Sequence, residues 1–372
     1  MISSIKLSNF RNFKSKNFEF SDKITTIVGP NASGKTNILE ALYLLSTGKS
    51  FKARTEVEMI QYGSELASVE GSHFAKATRD DRSLLKVIIT NKINGWPGKR
   101  VLLNNVPKRL VDFAGNFKTV LFGPWDMDLV TDSPSLRRKF LDTVLSQTDR
   151  EYRRSILSYE KGIRQRNKLL WRIREDPSLH SGREGLLLFW NQLLIKSGNY
   201  ITDQREKFIV FANTTNEHQF QSVHAGAINT NYQLKYDQST ISEGRLEQYS
   251  KEEVMAATTL VGPHRDDMQF KINNSKFKIE RNLAAFGSRG EQRMGVLWLK
   301  LAELDYIELQ SKNEGPETSS GRPTLLLDDI FSELDHEHRD VVMELAKRQQ
   351  TVITTADEHF LNKGKFGGKI EL

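Results

Sequence analysis

The beginning of the chain contains two short runs in which apolar and polar side chains alternate, at 5–7 and 18–20. A period of two residues is typical of strands that bury one face, so these runs predict two antiparallel strands. The β-branched run at 23–28 predicts a buried strand, and residues 37–45 are strong helix formers without a breaker. Because a glycine-rich turn separates them, we predict a strand, a turn and a helix in that order.

The middle of the chain has a different periodicity. From 133 to about 211 the pattern is helical, whereas strand signals return nearer to both ends. We therefore predict an α/β fold with one lobe built from residues 1–125 and 286–372 and a mainly helical lobe, 126–285, inserted between them. Residues 212–250 are polar and predict no definite element. Further strands are predicted at 84–90, 101–103, 119–122, 268–272, 276–279, 324–327 and 351–354, and further helices at 290–310 and 336–348.

Composition restricts the class of protein. The chain has no cysteine, which excludes disulfides, thiolate zinc sites and cysteine nucleophiles. Its hydrophobic fraction is 38%, and no run approaches the roughly 18 apolar residues of a membrane-spanning helix. Since no secretory signal is recognisable either, we expect a cytoplasmic protein with no membrane partner. The net charge of +7 favours a polyanionic partner if the cations are clustered.

One motif points to specific chemistry. Residues 29–36 match the pattern G-x-x-x-x-G-K-[ST] between the predicted strand and the predicted helix. The two glycines permit backbone angles that turn successive N–H groups toward a phosphate, and the helix dipole adds a positive potential. Lys35 supplies a charge for the β- and γ-phosphates, and the Thr36 hydroxyl is a ligand for Mg²⁺. The predicted ATP-binding residues of this loop are Gly29, Pro30, Asn31, Ala32, Ser33, Gly34, Lys35 and Thr36.

An apolar strand that ends in two acids supplies the second half of such a site. The run 324–327 directly precedes Asp328 and Asp329. In P-loop enzymes one acid of this kind holds Mg²⁺ and another polarises the attacking water. We therefore predict that Thr36 and Asp328 hold Mg²⁺, and that Asp329, Lys35 and Asp328 form the catalytic group of an ATPase with ATP and Mg²⁺ as cofactors.

Four further segments, at 7–13, 261–267, 286–292 and 332–335, narrow this class. The third, F-G-S-R-G-E-Q, resembles the signature loop of ABC-type ATPases, and the fourth, S-E-L-D, resembles their D-loop. The whole set, in register from residue 2 to about 357, resembles the RecF family of recombination-mediator ATPases, relatives of the SMC proteins without long coiled-coil arms. The resemblance implies a P-loop ABC-type ATPase lobe with a mixed sheet around the P-loop helix.

The resemblance also implies partners and a reaction. Members of this family dimerise with ATP, bind double-stranded DNA at gaps or junctions, and act with RecR to promote RecA loading at single-stranded gaps. They serve recombinational repair, replication and the SOS response. We therefore expect an ATP-dependent homodimer, nucleoid-associated in the cytoplasm, that DNA-stimulated hydrolysis resets. Asp329 is one methylene shorter than the Glu of most ABC enzymes, which predicts slow turnover.

The same resemblance implies roles for individual residues. The signature loop would reach the γ-phosphate held by Lys35 of a second copy, and Asp335 would lie across the dimer seam. Arg11 and Asn12 match positions that approach the nucleotide phosphates. Glu291 stands where the family usually carries Gln, which places an extra negative charge near the phosphate. The signature residues acting in trans would be Ser288, Arg289, Gly290, Glu291 and Gln292.

Basic residues are concentrated in the predicted helical lobe. Residues 137–174 contain twelve Lys and Arg against four Asp and Glu. Cations at this density neutralise phosphates and give DNA affinity that is independent of sequence and sensitive to salt. A solubilising helix surface is the alternative interpretation. The candidate DNA contacts are Arg137, Arg138, Lys139, Arg153, Arg154, Arg164 and Arg166.

The two nucleotide motifs are also compatible with other classes of protein. An SMC-like ATPase of another repair complex, a DNA-binding scaffold without turnover and an ABC transporter subunit share the two nucleotide motifs. The segment 263–267, P-H-R-D-D, also admits a metal-site interpretation. Consecutive residues seldom converge on one point, so we expect an architectural role in which Arg265 pairs with one of the two aspartates.

Overall fold

The computed structural model describes residues 1–74, 82–93, 96–176, 184–223, 230–274, 279–313, 322–332, 334, 336–356 and 367–372. In chain order its strands are β1 (Ile2–Phe10), β2 (Phe13–Glu19), β3 (Ile24–Val28), β4 (Leu66–Phe74), β5 (Arg82–Ile93), β6 (Trp96–Leu103), β7 (Val106–Lys108), β8 (Thr119–Phe122), β9 (Thr230–Asp237), β10 (Asp267–Asn274), β11 (Ile279–Asn282), β12 (Thr324–Asp328), β13 (Thr351–Thr355) and β14 (Gly368–Glu371). Its α-helices are α1 (Lys35–Thr47), α2 (Leu110–Phe113), α3 (Asp128–Thr131), α4 (Pro134–Thr148), α5 (Arg150–Glu175), α6 (Glu184–Val223), α7 (Glu243–Gln248), α8 (Ser250–Ala256), α9 (Leu283–Phe286), α10 (Arg289–Asn313) and α11 (His336–Ala346).

The chain divides into two compact units, one formed by residues 1–127 and 296–372 and the other by residues 128–295. The first unit contains two sheets. The antiparallel sheet has the order β2-β1-β4-β5-β6-β7, with Ile5 opposite Phe18, so the predicted pair of strands at the start of the chain is confirmed. The parallel sheet has the order β14-β3-β13-β12-β8. The α/β fold is confirmed, but parallel and antiparallel strands occupy separate sheets where the resemblance implied one mixed sheet around the P-loop helix.

Helix α1 is buried because it contacts both sheets of the first unit, at β4 and β5 on one side and at β8, β12 and β13 on the other. Residues 38–46 of α1 are buried without interruption. Because no side of this part of the helix faces solvent, its sequence does not need a polar face. The parallel strands β3, β8, β12 and β13 are also buried along their length, as expected for a sheet covered on both faces. Their carboxyl ends share one edge, where Asp328 lies opposite Thr354 and Val28 lies opposite Thr355.

The second unit combines long helices with an antiparallel sheet of order β11-β10-β9. Helix α5 packs along α6, while α6 contacts β9 and α4 contacts β10. Within this unit the buried guanidinium of Arg205 pairs with Asp142 at 2.8 Å and with Asp266 at 3.0 Å. A buried cation is tolerated only with such partners, so these ion pairs join α6 to α4 and to the segment that directly precedes β10.

Most predicted elements are present with small shifts in their bounds, and two differences are informative. The polar stretch 212–250 contains the end of α6, β9 and α7. A further strand, β14, follows the predicted last strand and pairs with β3. Residues 276–278 of the predicted strand at 276–279 lie outside the described residues. None of the helices that the structure describes combines the length and the apolar character needed to span a bilayer.

Candidate nucleotide-binding site

The turn between β3 and α1 has the backbone geometry of the predicted phosphate-binding loop. Ala32 and Gly34 have positive φ angles of 68° and 112°. A Cβ at Gly34 would lie 2.7 Å from side-chain atoms of Asn12 and Phe13, so both its backbone angle and its close packing require glycine. The turn leads directly into α1, whose first N–H groups and dipole favour an anion at this position.

The side chains of the turn fit a phosphate ligand. The Lys35 ammonium donates to the carbonyl oxygens of Gly29, at 2.6 Å, and Pro30, at 3.0 Å. The Ser33 hydroxyl oxygen is buried without a hydrogen-bond partner among the described residues. Since buried hydroxyls are nearly always bonded, this group has capacity for a ligand oxygen. A cation and an unbonded hydroxyl in one turn are a suitable donor set for phosphate.

Asn12 holds this turn in place from the loop between β1 and β2. Its Nδ2 donates to the carbonyl oxygen of Ser33 at 2.9 Å, and its Oδ1 accepts from Nδ2 of Asn37 at 2.9 Å. One amide side chain therefore connects the phosphate-binding turn to the first turn of α1. The structure brings Asn12 to the predicted loop, as a support for its backbone. A nucleotide contact by Asn12 stays a prediction.

Arg11 is directed to a different partner. Its Nε and Nη2 donate to the two carboxylate oxygens of Glu40, at 2.7 and 2.6 Å, and its Nη1 donates to the carbonyl oxygen of Glu58 at 2.6 Å. The Glu40 side chain is fully buried, so this bidentate pair neutralises a charge inside the first unit. Sequence reasoning missed Glu40, which stands within an apolar helical run. The predicted phosphate contact of Arg11 stays a prediction.

The first acid of the apolar strand meets the predicted Mg²⁺ ligand of the loop. Asp328 ends β12, is only 4% exposed, and accepts a 3.1 Å hydrogen bond from Oγ1 of Thr36. Its Oδ1 also accepts from Oγ1 of Thr354 at 2.6 Å. A hydroxyl and a carboxylate this close present the hard oxygen donors that Mg²⁺ takes beside phosphate oxygens, so the residues fit the ion. Sequence reasoning missed Thr354, although a strand was predicted at 351–354.

The second acid begins a turn. Asp329 has a φ of 48°, a left-handed conformation that Asp tolerates better than most residues. Its backbone N–H donates to the carbonyl oxygen of Thr354 at 3.2 Å and to Oγ1 of that residue at 3.1 Å. Its own carbonyl oxygen accepts from Ser332 at 2.7 Å. These bonds fix the backbone of Asp329, and the side chain is half-buried.

The signature segment forms the amino-terminal cap of α10. The Ser288 N–H donates to the Glu291 carboxylate at 2.7 Å, and the Glu291 N–H donates to the Ser288 hydroxyl at 3.2 Å. This reciprocal pair is a capping box, a local function for Glu291 that its S-x-x-E spacing indicates. Gln292 bonds to the carbonyl oxygens of residues 283, 284 and 287. Ser288, Arg289 and Gly290 remain exposed, and the D-loop residue Asp335 lies outside the described residues.

Two of the candidate DNA contacts are wrong because their side chains are buried. Arg137 pairs with Asp267 at 2.7 Å. Arg166 is 3% exposed and pairs with Glu253 at 2.6 Å. Arg138 and Arg153 are half-buried and donate to the carbonyl oxygens of residues 266 and 146. The exposed candidates are Lys139, Arg154 and Arg164.

The segment 263–267 is architectural, although Arg265 does not make the expected ion pair. Asp266 is buried and pairs with Arg205, while Asp267 pairs with Arg137. The exposed Arg265 instead donates to the carbonyl oxygen of Thr259 at 3.4 Å. Within the described residues no group of three or more His, Cys, Asp or Glu side chains is arranged to hold a metal ion.

Comparisons with known proteins agree with this architecture. The sequence profile of the RecF/RecN/SMC N terminal domain matches residues 1–369. The chain is 32% identical, over 378 residues, to the DNA replication and repair protein RecF of Herpetosiphon aurantiacus, covering 96% of this chain and 93% of that protein. It is similar to the solved recombination mediator protein RecF-ATPrS in the RecFOR pathway, with a TM-score of 0.84, 27% identity and coverage of 100% and 96%. The SMC head domain from Pyrococcus furiosus, at 16% identity, 97% and 91% coverage and a TM-score of 0.52, shares the fold.

The fold defines the class of protein: an α/β ATPase fold of the ABC type, shared with the heads of SMC proteins. Within this class, the similarity to the RecF protein of Herpetosiphon aurantiacus extends over almost the whole of this chain and of that protein. The chain belongs to the RecF family.

Proposed function

We propose that this chain is an ATP-dependent DNA-binding protein of DNA replication and recombinational repair that hydrolyses ATP with Mg²⁺. The observation that carries the proposal is the hydrogen bond between Thr36 and Asp328, which joins the phosphate-binding turn to the acidic end of a parallel strand. The family supports the biological setting, since the relatives are DNA replication and repair proteins and a similar solved structure contains ATPrS.

Each residue of the site has a position that suits its proposed role. The N–H groups of the turn and Lys35 would hold the phosphates, and Thr36 and Asp328 would hold Mg²⁺. The bound ion would neutralise charge on the β- and γ-phosphate oxygens. Asp329, fixed at the end of β12, would orient the attacking water. Because its carboxylate stands on a side chain one methylene shorter than Glu, turnover would be slow.

A second copy of the chain would complete the site. The exposed start of α10 offers the Ser288 hydroxyl, the Gly290 N–H and the positive end of a helix dipole, which suit a γ-phosphate held by Lys35 of the other copy. ATP would then favour the homodimer by binding it more tightly than the monomer. Hydrolysis would remove that preference and reset the protein.

Membership in the RecF family supports the proposed DNA and protein partners. The dimer would bind double-stranded DNA at gaps or junctions, interact with RecR and thereby promote RecA loading on single-stranded DNA. These events would take place at the nucleoid in the cytoplasm. The charge of the second unit supports a DNA partner, since exposed cations give the affinity for phosphates that such binding needs.

Two measurements test this function. Size-exclusion chromatography with light scattering should show a dimer with ATP and a monomer with ADP or without nucleotide. Phosphate release should be slow and should rise when duplex DNA is added. A monomer under every condition would contradict the ATP-dependent dimer. DNA binding without any phosphate release would instead favour a non-hydrolysing scaffold, an alternative that the short side chain of Asp329 makes worth testing.

A further inference from the structure

Helix α5 has two faces of opposite character. Its buried residues form one face of the helix. They include Tyr152, Tyr159, Arg166 and Ile173, which are seven residues, or about two helical turns, apart. At 100° per residue, six exposed cations on the other face fall within about 40° of one line along the helix. We call these residues the cationic stripe: Arg150, Arg154, Lys161, Arg164, Lys168 and Arg172.

Most cations of the stripe have no acidic partner in the part of the chain that the structure describes. Lys161, Arg164, Lys168 and Arg172 make no ion pair with any residue that the structure describes, and Arg154 has only a 3.4 Å contact with Glu151, in which both side chains are about half exposed. Such exposed pairs contribute little to stability. A solubilising helix surface usually mixes charges of both signs at positions three and four apart. On α5 the exposed acids Glu151 and Glu160 stand three residues before Arg154 and four before Arg164. From Arg150 to Arg172, however, no acid falls on the line of the stripe itself, so the stripe concentrates one sign of charge and leaves it accessible.

The length of the stripe fits a duplex. The 22 residue steps from Arg150 to Arg172 correspond to about 33 Å of helix, close to the roughly 34 Å of one turn of B-DNA. A single-strand binder needs several aromatic side chains for base stacking, whereas this face adds only Trp171, 50% exposed, near one end. We propose that the cationic stripe of α5 binds the phosphate backbone of duplex DNA. The inference rests on the proposed function and names the surface that carries it.

Phosphate contacts of this kind have a measurable signature. Each neutralised phosphate of B-DNA releases counterions and contributes about 0.9 to the slope of log affinity against log salt. Contacts from one helix face to the backbone would carry no sequence preference. Removing cations from the stripe should therefore lower affinity for every duplex sequence and make binding less sensitive to salt.

The experiment compares two sets of three neutral substitutions in the full chain. The stripe variant carries Lys161→Gln, Arg164→Gln and Lys168→Gln. The matched control carries Lys196→Gln, Lys235→Gln and Lys251→Gln, which are exposed on α6, β9 and α8. Binding of a 30-base-pair duplex is followed by fluorescence anisotropy with ATP at several KCl concentrations, and thermal unfolding of each protein is recorded. Arg164→Gln alone is the second variant, should the triple variant be less stable.

The stripe variant should bind about tenfold more weakly or worse, with a salt slope smaller by about 2 to 3, and Arg164→Gln should lower the slope by about 1. The control should keep the affinity within about twofold. Equal binding by the stripe variant and the control overturns the inference and leaves the proposed function intact. The same proteins are also titrated with poly-L-glutamate, which stands for an acidic protein surface. If the stripe variant loses poly-L-glutamate binding but keeps duplex binding, the stripe binds an acidic protein and the inference is overturned. If the unchanged chain binds no duplex in any nucleotide state, the proposed function fails as well.

Discussion

Thr36 donates a hydrogen bond from Oγ1 to Oδ1 of Asp328 over 3.1 Å, although 292 residues separate them in the chain. The contact exists because β3 and β12 are strands of one parallel sheet whose carboxyl ends share an edge. The β3 end continues into the phosphate-binding turn, and the β12 end carries the acid. Thr354, from the strand between them, bonds the same carboxylate oxygen. The two proposed Mg²⁺ ligands are therefore positioned by the sheet itself.

The Thr36 hydroxyl provides the first prediction. Thr36→Val removes the hydroxyl with almost no change in volume, whereas Thr36→Ser retains it. Because a bond to a charged group contributes about 1.5–3 kcal/mol, we expect Thr36→Val to weaken ATP binding with Mg²⁺ by about tenfold to a hundredfold. Thr36→Ser should stay near the unchanged protein. Titration of a fluorescent ATP analogue with Mg²⁺ and with EDTA measures both effects.

The titration with EDTA shows whether Thr36→Val weakens ATP binding because Mg²⁺ is held less well or because the protein is less well folded. Without Mg²⁺ the two variants should bind the nucleotide with nearly equal affinity. If Thr36→Val is equally weak with and without Mg²⁺, the hydroxyl supports the loop and does not hold the ion.

The two ends of the site should be separable by mutation. Lys35→Met removes the charge for the phosphates and should prevent ATP-dependent dimerisation. Asp329→Asn retains the charges that bind ATP but removes the carboxylate that would orient water, so dimers should form and persist. Phosphate release should fall by about 10²- to 10⁴-fold. Chromatography with ATP over several hours, together with phosphate release, checks both variants; dimers of Asp329→Asn that dissociate at the normal rate would contradict the assignment.

The site could be predicted from sequence where its chemistry is local. The phosphate-binding turn depends on glycines at fixed spacing between a strand and a helix, and the φ of 112° at Gly34 follows from that spacing. The capping box of Ser288 and Glu291 was also present as a local S-x-x-E pattern. Arg166 lies seven residues after Tyr159, so the periodicity of α5 indicates that it belongs to the buried face. It was nevertheless a candidate DNA contact, because that prediction used the net charge of residues 137–174 and not the periodicity of the helix.

Other parts of the site depend on contacts between distant segments. Glu40 lies in an apolar helix, and nothing near it in sequence identifies Arg11 as its partner. Thr354 reaches Asp328 only because β13 lies beside β12 in the sheet. The strand β14 is short and alternates between half-buried and exposed positions, so its pattern is weak until it pairs with β3. These features follow from tertiary packing, which no local pattern in one sequence reports.

The Arg11–Glu40 pair predicts a loss of stability. Arg11→Met would leave the Glu40 carboxylate, which is fully buried, without its cation. Breaking a buried pair in this way costs about 3–5 kcal/mol. The double variant with Glu40→Met removes both charges and should recover a large part of that loss. Urea unfolding of the single and double variants measures this coupling; a stable Arg11→Met protein with weakened ATP affinity would show instead that Arg11 contacts the nucleotide.

His73 predicts how stability changes with pH. The side chain is 2% exposed and packs against Phe117 with ring centroids 5.9 Å apart. Burial, with a smaller effect of the nearby positive charge of the chain's amino terminus, lowers the pKa of His73 from 6.5 to about 4. The unfolded chain therefore binds a proton below pH 6.5 that the folded protein does not bind until about pH 4.

The sign of the effect follows from this difference in proton binding. As the pH falls from 6.5 toward 4, this residue should lower the free energy of unfolding by up to about 1.4 kcal/mol per pH unit. Above pH 6.5 both states are neutral at His73, and its contribution is constant. His73→Leu removes the titrating group and should reduce the loss of stability between pH 7 and pH 5, although carboxylates elsewhere still contribute. Urea unfolding of both proteins at pH 7.5, 6.0 and 5.0 gives the comparison. If the free energy of unfolding changes equally with pH in both proteins, His73 takes up its proton at the same pH in the folded and the unfolded chain, which would contradict the prediction.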